Sequence, residues 1–327
     1  MVNTPILIPA SRLRVAHHGT FIKFALPILL AAAVLTAAAQ QSPTISTRTN
    51  LVSLIATVHD PDGRVVKNLT PDDFLLLEDG KPQQIIYFSQ ESHLPLTIGL
   101  LVDTSRSQTG ILEQERRASY TFLDQVLREG TDHAFIAHFD IRVGILQDPT
   151  SSRDALQMAL ERLKIPDRDS TLVFSAIKEC SEDPMYHLRG RKAFILLSDG
   201  VAHKESTSIT EAIEYAQRAD TISYPIRFAD PENFSRPVIG AILAIASQHG
   251  KQGLHRMANE TGGAYFEVTP NESIEDNYAQ IEEDLRNQYS VGYTPGRAKP
   301  DSKYHKIKLT TKDRHFTVNT RAGYYAK

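Results

Sequence analysis

The sequence of 327 residues contains one cysteine and no tryptophan, and its formal net charge is only −3. A single cysteine, Cys180, excludes an intramolecular disulfide and a zinc site built from thiolates. The near balance of 36 basic and 39 acidic residues argues against a nucleic-acid-binding protein, because such proteins carry clustered positive charge. The serine-hydrolase, zinc-protease and P-loop signatures are also absent from the sequence.

What is present is typical of an ordinary globular protein, with 41% apolar and 23% charged residues. At about 150 residues per domain, the length indicates about two domains. Both domains are large enough to bury a hydrophobic core.

The first 39 residues have the features of a secretory signal peptide. They contain Arg12, Arg14 and Lys23 but no acidic residue, and residues 24–39 form an apolar run that ends in three alanines. Removing these three basic residues changes the net charge from −3 to −6. We therefore expect a periplasmic or extracellular protein. The alternative is a retained anchor, although the run is shorter than the ~20 residues that span a bilayer.

Residues 94–288 alternate between strand-like and helix-like patterns. The runs 96–102 and 193–197 are almost entirely apolar, as in strands buried on both faces. Helical spacing of apolar residues follows at 111–129, 154–163, 172–180, 209–219, 254–260 and 274–288. This alternation predicts an α/β fold with a doubly wound, mainly parallel sheet. Ligands bind such sheets at the carboxyl ends of the strands, where Asp103 and Asp199 fall.

The two flanks, residues 45–92 and 289–327, contain short strand patterns instead. Turn sequences such as Asp60-Pro-Asp-Gly63 separate the strands of the first flank. Neither flank has enough strands for a core of its own. We therefore predict that they pair into one small, discontinuous β-sandwich, into which the α/β domain at 94–288 is inserted.

Five oxygen-bearing side chains form a recognisable pattern at the predicted carboxyl edge. Asp103, Ser105 and Ser107 make a D-x-S-x-S motif, Thr171 begins a predicted helix, and Asp199 follows the second buried strand. The set resembles the metal-ion-dependent adhesion site of von Willebrand factor type A domains. Taken alone, the two serines could instead cap the following helix, and Ser170 could replace Thr171 as a ligand or act as a cap.

A hard cation such as Mg²⁺ prefers oxygen ligands, which hydroxyl and carboxylate groups supply. The resemblance implies that Ser105, Ser107 and Thr171 bind the ion directly, while Asp103 and Asp199 act mostly through water and charge. Neutral hydroxyls leave the cation electrophilic, so that a partner's acidic group can complete its coordination. We expect Mg²⁺, with Mn²⁺ or Ca²⁺ as alternatives, and a protein partner that presents an Asp or Glu.

The resemblance extends beyond the motif. The segment 71–80, the signal peptide and the closing residues 323–326 are similar to the VWFA-related family of secreted acidobacterial proteins. That family implies a role in adhesion or complex assembly. We therefore expect a non-enzymatic exported binding module that binds no nucleic acid and has no stable membrane span after cleavage.

Two other functions fit parts of the sequence. Asp103 resembles the nucleophile of haloacid-dehalogenase-type phosphohydrolases, but those enzymes use D-x-D, and the second position here is Ser105. A structural envelope protein with a stabilising metal site is the other alternative. The insertion at 229–252 is either a helix near the metal face or a surface helix that closes the core.

Overall fold

The computed structural model describes residues 51–90, 94–167, 170–228, 237–296 and 302–326. The predicted signal peptide and the first part of the insertion, residues 229–236, lie outside the described residues. Residues 49–327 form one compact unit. Within the described ranges, no helix has the length and apolar character needed to cross a membrane.

The described ranges contain fourteen strands and six α-helices. The strands are β1 (Val52–His59), β2 (Phe74–Glu78), β3 (Lys81–Gln83), β4 (Ile85–Gln90), β5 (Leu96–Asp103), β6 (His133–Phe139), β7 (Val143–Thr150), β8 (Arg191–Ser198), β9 (Ile222–Arg227), β10 (Phe266–Glu267), β11 (Tyr289–Tyr293), β12 (Tyr304–Thr311), β13 (Thr317–Thr320) and β14 (Gly323–Tyr325). The helices are α1 (Leu112–Val126), α2 (Arg153–Glu161), α3 (Val173–Glu182), α4 (Ile209–Arg218), α5 (Pro237–Thr261) and α6 (Ile274–Arg286).

The central sheet has six strands in the order β10-β9-β8-β5-β6-β7. Neighbouring strands are parallel except at the edge, where β7 runs antiparallel to β6. The register places Leu100 of β5 between Ile136 of β6 and Ile195 of β8. This arrangement confirms the predicted doubly wound, mainly parallel α/β fold.

Each face of this sheet is covered by its own hydrophobic core. One core joins alternate residues of β5, including Leu100, to Phe122 of α1 and Tyr278 of α6, and the other joins Leu101 to Ile177 of α3 and Met257 of α5. Burying such a side chain contributes about 1.5–3 kcal/mol. Both cores therefore hold the carboxyl ends of β5 and β8 in fixed positions.

The strands before and after the α/β domain form two antiparallel sheets. Their orders are β13-β1-β11-β4 and β14-β12-β2-β3, and each combines strands from both flanks. Leu54 and Val291 of the first sheet share a third core with Leu76 and Leu309 of the second. The flanks thus form the discontinuous β-sandwich that the sequence predicted, with β3 and β14 as strands that the sequence patterns did not indicate.

Helix α5 differs from its prediction. The sequence suggested a short helix at 254–260 after an insertion, whereas α5 is one helix of 25 residues. Gly250 and Gly253 interrupt the helical pattern, since each glycine costs about 1 kcal/mol in a helix. Close packing explains Gly250, because a Cβ on this residue would lie 2.6 Å from the carbonyl group of Gly200.

Candidate metal centre

Asp103 lies at the carboxyl end of β5 and is completely buried. Its carboxylate accepts a hydrogen bond from Ser198 Oγ at the end of β8 (2.6 Å) and another from the amide of Ser105 (2.9 Å). Both donors are neutral. The two central strands thus bring Asp103 and the residues around Asp199 to the same edge, as the sequence predicted.

The two serines of the motif follow Asp103 in the sequence, and their side chains lie next to each other. Ser105 Oγ and Ser107 Oγ are 3.0 Å apart, and Gln108 Nε2 donates to Ser107 Oγ at 3.1 Å. Neither serine caps a helix through its side chain, and α1 begins after Ile111. The alternative prediction, in which the two serines cap the following helix, is therefore wrong. Their hydroxyls form a hydrogen bond with each other instead.

Thr171 is attached to the loop that follows Asp199. Its backbone pairs with that of His203 through two hydrogen bonds of 3.1 Å, and Ser170 Oγ donates to the same carbonyl of His203 at 2.9 Å. The carboxylate of Glu205 then accepts a bond from the amide of Phe174 in the first turn of α3. Ser170 is therefore not the cap of α3, which Glu205 supplies from the Asp199 loop.

The Asp199 loop is held from two further directions. Asp199 Oδ1 accepts a bond from the amide of Val201 (2.8 Å), and its carbonyl accepts one from Arg227 Nε (3.3 Å). Gly200, with a φ of 78°, lies against Gly250 of α5. The described part of the predicted 229–252 insertion thus packs beside this loop, as one of the two sequence alternatives proposed.

The carboxyls at this edge are perturbed by burial and by each other. Burial raises the pKa of Asp103 to about 7, and the charge of Asp199 adds to the effect, against the hydrogen bonds from Ser105 and Ser198. A third carboxyl belongs to Glu115 in the first turn of α1. Burial, and then the charges of Asp103 and Asp199, raise the pKa of Glu115 well above its usual value.

Sequence reasoning missed Glu115, although a signal was present. Leu112, Ser119, Phe122 and Val126 are buried on α1, and Glu115 occupies the same helical stripe. An acidic residue at a core position of an amphipathic helix is unusual. Acidic residues are common in the first turn of a helix, so this position alone does not distinguish Glu115 from an ordinary surface residue.

A polar group next to the motif was also missed. Thr104 Oγ1 donates to Asp140 Oδ2 at 2.8 Å, and His138 Nδ1 lies 3.1 Å from the same oxygen. His138 is therefore held at the carboxyl end of β6 by its contacts with Thr104 and Asp140. This group supports the backbone between Asp103 and Ser105 from the neighbouring strand.

A separate histidine–carboxylate group lies on the β-sandwich. One ligand atom each from Glu78, Asp79 and His305 fall within 4.8 Å of one another, which a metal ion could bridge. His305 Nδ1 is 2.8 Å from Asp79 Oδ2, and Tyr324 donates to Glu78. The sequence could not indicate this group, because the whole α/β domain separates His305 from Glu78 and Asp79 in the sequence. The pairing of β12 with β2 brings them together.

A cavity formed by the described residues lies elsewhere. It has a volume of about 710 Å³ and is lined by Leu94, Gly190 and Thr221 near the amino ends of the parallel strands, together with sandwich residues such as Ser53. The candidate metal centre is at the opposite, carboxyl edge.

Several solved structures are similar to this chain. BatB from Bacteroides thetaiotaomicron is 18% identical, with 58% of this chain and 97% of that chain covered and a TM-score of 0.46. The vWF domain of the pilus tip protein Mfa5 from Porphyromonas gingivalis is 12% identical, with 59% and 95% covered and a TM-score of 0.46. No family model matches the sequence, and no curated protein matches it.

A third similar structure, proximal thread matrix protein 1 from the mussel byssus, is described with a zinc-occupied MIDAS motif. It is 9% identical, with 64% of this chain and 49% of that chain covered and a TM-score of 0.47. The strand order of the central sheet and the position of the motif at its carboxyl edge agree with the type A resemblance. The inserted domain has a von Willebrand factor type A fold. Membership of the acidobacterial family stays a prediction.

The donors of this type A domain fit a divalent cation. They are hydroxyl and carboxylate oxygens, which hard cations prefer, and they include no thiolate or imidazole. The buried carboxyls of Asp103 and Glu115 have no cationic hydrogen-bond partner among the described residues, which also favours a bound positive charge. Ser105, Ser107, Thr171, Asp103 and Asp199 are the residues that would hold the ion.

Proposed function

We propose that this chain is a non-enzymatic binding module that captures an acidic side chain of a protein partner through a divalent cation. Ser105, Ser107 and Thr171 would be direct ligands, and Asp103 and Asp199 would act mostly through water and charge. Mg²⁺ is the expected ion, with Mn²⁺ and Ca²⁺ as alternatives.

The observation that carries the proposal is the environment of Asp103. This carboxyl is fully buried, yet its hydrogen-bond donors, Ser198 Oγ and the Ser105 amide, are both neutral. A buried charge without a cationic partner is costly, and a divalent ion at this edge would relieve that cost. The paired hydroxyls of Ser105 and Ser107 offer the ion uncharged oxygens, which keep it electrophilic.

The protein would act outside the cytoplasm, after export directed by residues 1–39. An enzymatic role is not part of the proposal, because Ser105 stands where the phosphohydrolases carry their general acid. Hydrolysis of p-nitrophenyl phosphate in Mg²⁺ tests this point. Turnover that Asp103→Ala abolishes would replace the binding function with the enzymatic one.

The binding function is tested with peptides on a dense resin, which compensates for weak single contacts. Four peptides differ only in one central residue, which is Asp, Glu, Asn or Gln. We expect the Asp and Glu resins to retain the protein in Mg²⁺ and to release it in EDTA. The Asn and Gln resins should not retain it.

Two variants complete this experiment. Asp103→Ala should lose retention, whereas Asp154→Ala, an exposed carboxylate in the first turn of α2, should behave like the wild type. Retention that is indifferent to EDTA, or equal on the Asp and Asn resins, would contradict the proposal. Metal-dependent stability without any retention would favour the structural alternative.

A further inference from the structure

Glu115 is the least satisfied carboxyl in the described part of the chain. Its side chain is fully buried, and neither Oε1 nor Oε2 has a hydrogen-bond partner among the described residues. A buried polar group without a partner costs about 1–3 kcal/mol, and a charged one costs more. A stable fold keeps such a group only where something compensates for it.

The surroundings of Glu115 indicate what compensates for it. The charges that act on Glu115 are those of Asp103 and Asp199, the two carboxylates of the candidate metal centre. Glu115 also lies in the first turn of α1, directly after the loop that carries Ser105 and Ser107. Glu115 is thus a buried carboxyl in the helical turn that follows the motif, and it interacts electrostatically with both carboxylates of the centre.

A role confined to the helix dipole does not explain the burial. Acidic residues stabilise a helix N-terminus from the solvent-exposed first turn, as Glu113 does on the same turn of α1. Glu113 is exposed and pairs with Arg116, whereas Glu115 points into the protein and pairs with nothing described.

We propose that Glu115 is a sixth residue of the metal centre, which acts on the cation by charge and is not a direct ligand. The inference rests on the proposed function, since it concerns the same ion. Outer residues of this kind change metal affinity by about 10–100-fold. Glu115 is therefore a positioning residue that increases cation affinity.

The proposal also has a consequence for the partner. Each additional negative charge near the cation reduces the attraction that the ion exerts on an external carboxylate. Glu115 would thus increase the affinity of the protein for the cation and decrease the affinity of the bound cation for the acidic ligand. At saturating Mg²⁺, a variant without this charge should bind an acidic ligand at least as well as the wild type.

The test compares Glu115→Gln, which preserves the shape of the side chain, with the matched control Glu113→Gln. Mg²⁺ affinity is measured by calorimetry, and melting is followed with Mg²⁺ and with EDTA. We expect Glu115→Gln to bind Mg²⁺ 10–100-fold more weakly. In EDTA it should melt at or above the wild-type temperature, because the substitution breaks no hydrogen bond and no ion pair among the described residues. Glu113→Gln should match the wild type in metal affinity.

Retention on the Glu resin at saturating Mg²⁺ gives a second measurement, in which Glu115→Gln should equal or exceed the wild type. Unchanged Mg²⁺ affinity in Glu115→Gln would overturn the inference. So would a lower melting temperature in EDTA with an unchanged gain from Mg²⁺, which is the signature of a purely structural residue. Absence of Mg²⁺ binding in the wild type would instead refute the proposed function itself.

Discussion

Two groups of buried carboxyls in this chain have opposite surroundings. Asp132 accepts two hydrogen bonds of 2.8 Å from the guanidinium of Arg128, and Asp284 lies 2.8 Å from His59 Nε2. Asp103 is held only by neutral donors among its described hydrogen bonds, and Glu115 has none. The first group carries its own cations, and the second does not.

The pKa values follow this difference for Asp132 but not for Asp284, because burial raises the pKa of Asp284 despite its hydrogen bond to His59. Burial would raise the pKa of Asp132, but the bonds from Arg128 bring it below its usual value. Burial raises the pKa of Asp103 to about 7, and the hydrogen bonds from Ser105 and Ser198 are too weak to reverse it. Asp132 and Asp284 thus contact basic side chains within the fold, whereas Asp103 and Glu115 have no basic hydrogen-bond partner among the described residues and lie where an external cation would bind.

The largest expected effect comes from supplying that cation. At a free Mg²⁺ concentration 100 times the dissociation constant, the free energy of unfolding should rise by about 2.7 kcal/mol over its value in EDTA. Urea denaturation measures this difference. The double variant Ser105→Ala, Ser107→Ala should lose most of it. If Mg²⁺ raised the free energy of unfolding of the double variant as much as that of the wild type, the two hydroxyls would not be ligands of the ion.

The next effect comes from removing an internal cation. Arg128→Ala leaves Asp132 buried without its guanidinium, and we expect a loss of about 2 kcal/mol, discounted because Arg128 is one-third exposed. The gain from Mg²⁺ should be unchanged. Arg64→Ala, which breaks an exposed pair with Asp60, is the control and should have little effect. Equal losses in both variants would refute the distinction between buried and exposed pairs.

The smallest effect concerns pH. Burial opposes protonation of His59, but the bond to Asp284 and nearby negative charges raise the pKa of His59 above its usual value. Its stabilising contribution is therefore present below about pH 6.5 and is lost as the pH rises through the raised pKa. The destabilisation caused by His59→Gln should therefore be larger at pH 6 than at pH 9.

The control for the pH prediction is His315→Gln. His315 is mostly exposed beside Asp313 and should give no such pH dependence. The measurement is urea denaturation of each variant and of the wild type at both pH values. A difference between wild type and His59→Gln that stays constant from pH 6 to pH 9 would show that the His59–Asp284 contact carries no charge.

The sequence predicted the parts of the molecule that depend on local pattern. Alternating strands and helices indicated the parallel sheet, and the ends of two apolar runs located Asp103 and Asp199. It could not indicate contacts between distant segments, such as the packing of Gly250 on Gly200 or of His305 on Asp79. Glu115 is an intermediate case. Its position on the apolar stripe of α1 predicts burial, whereas its acidic side chain predicts exposure.

The central claim is that the carboxyl edge of the sheet binds a divalent cation, and calorimetric titration of Mg²⁺ into wild type and Asp103→Ala tests it most directly. We expect one saturable site in the wild type and no binding in Asp103→Ala, whose melting in EDTA shows that it is folded. Equal Mg²⁺ binding by both proteins, or none by the wild type, would contradict the claim.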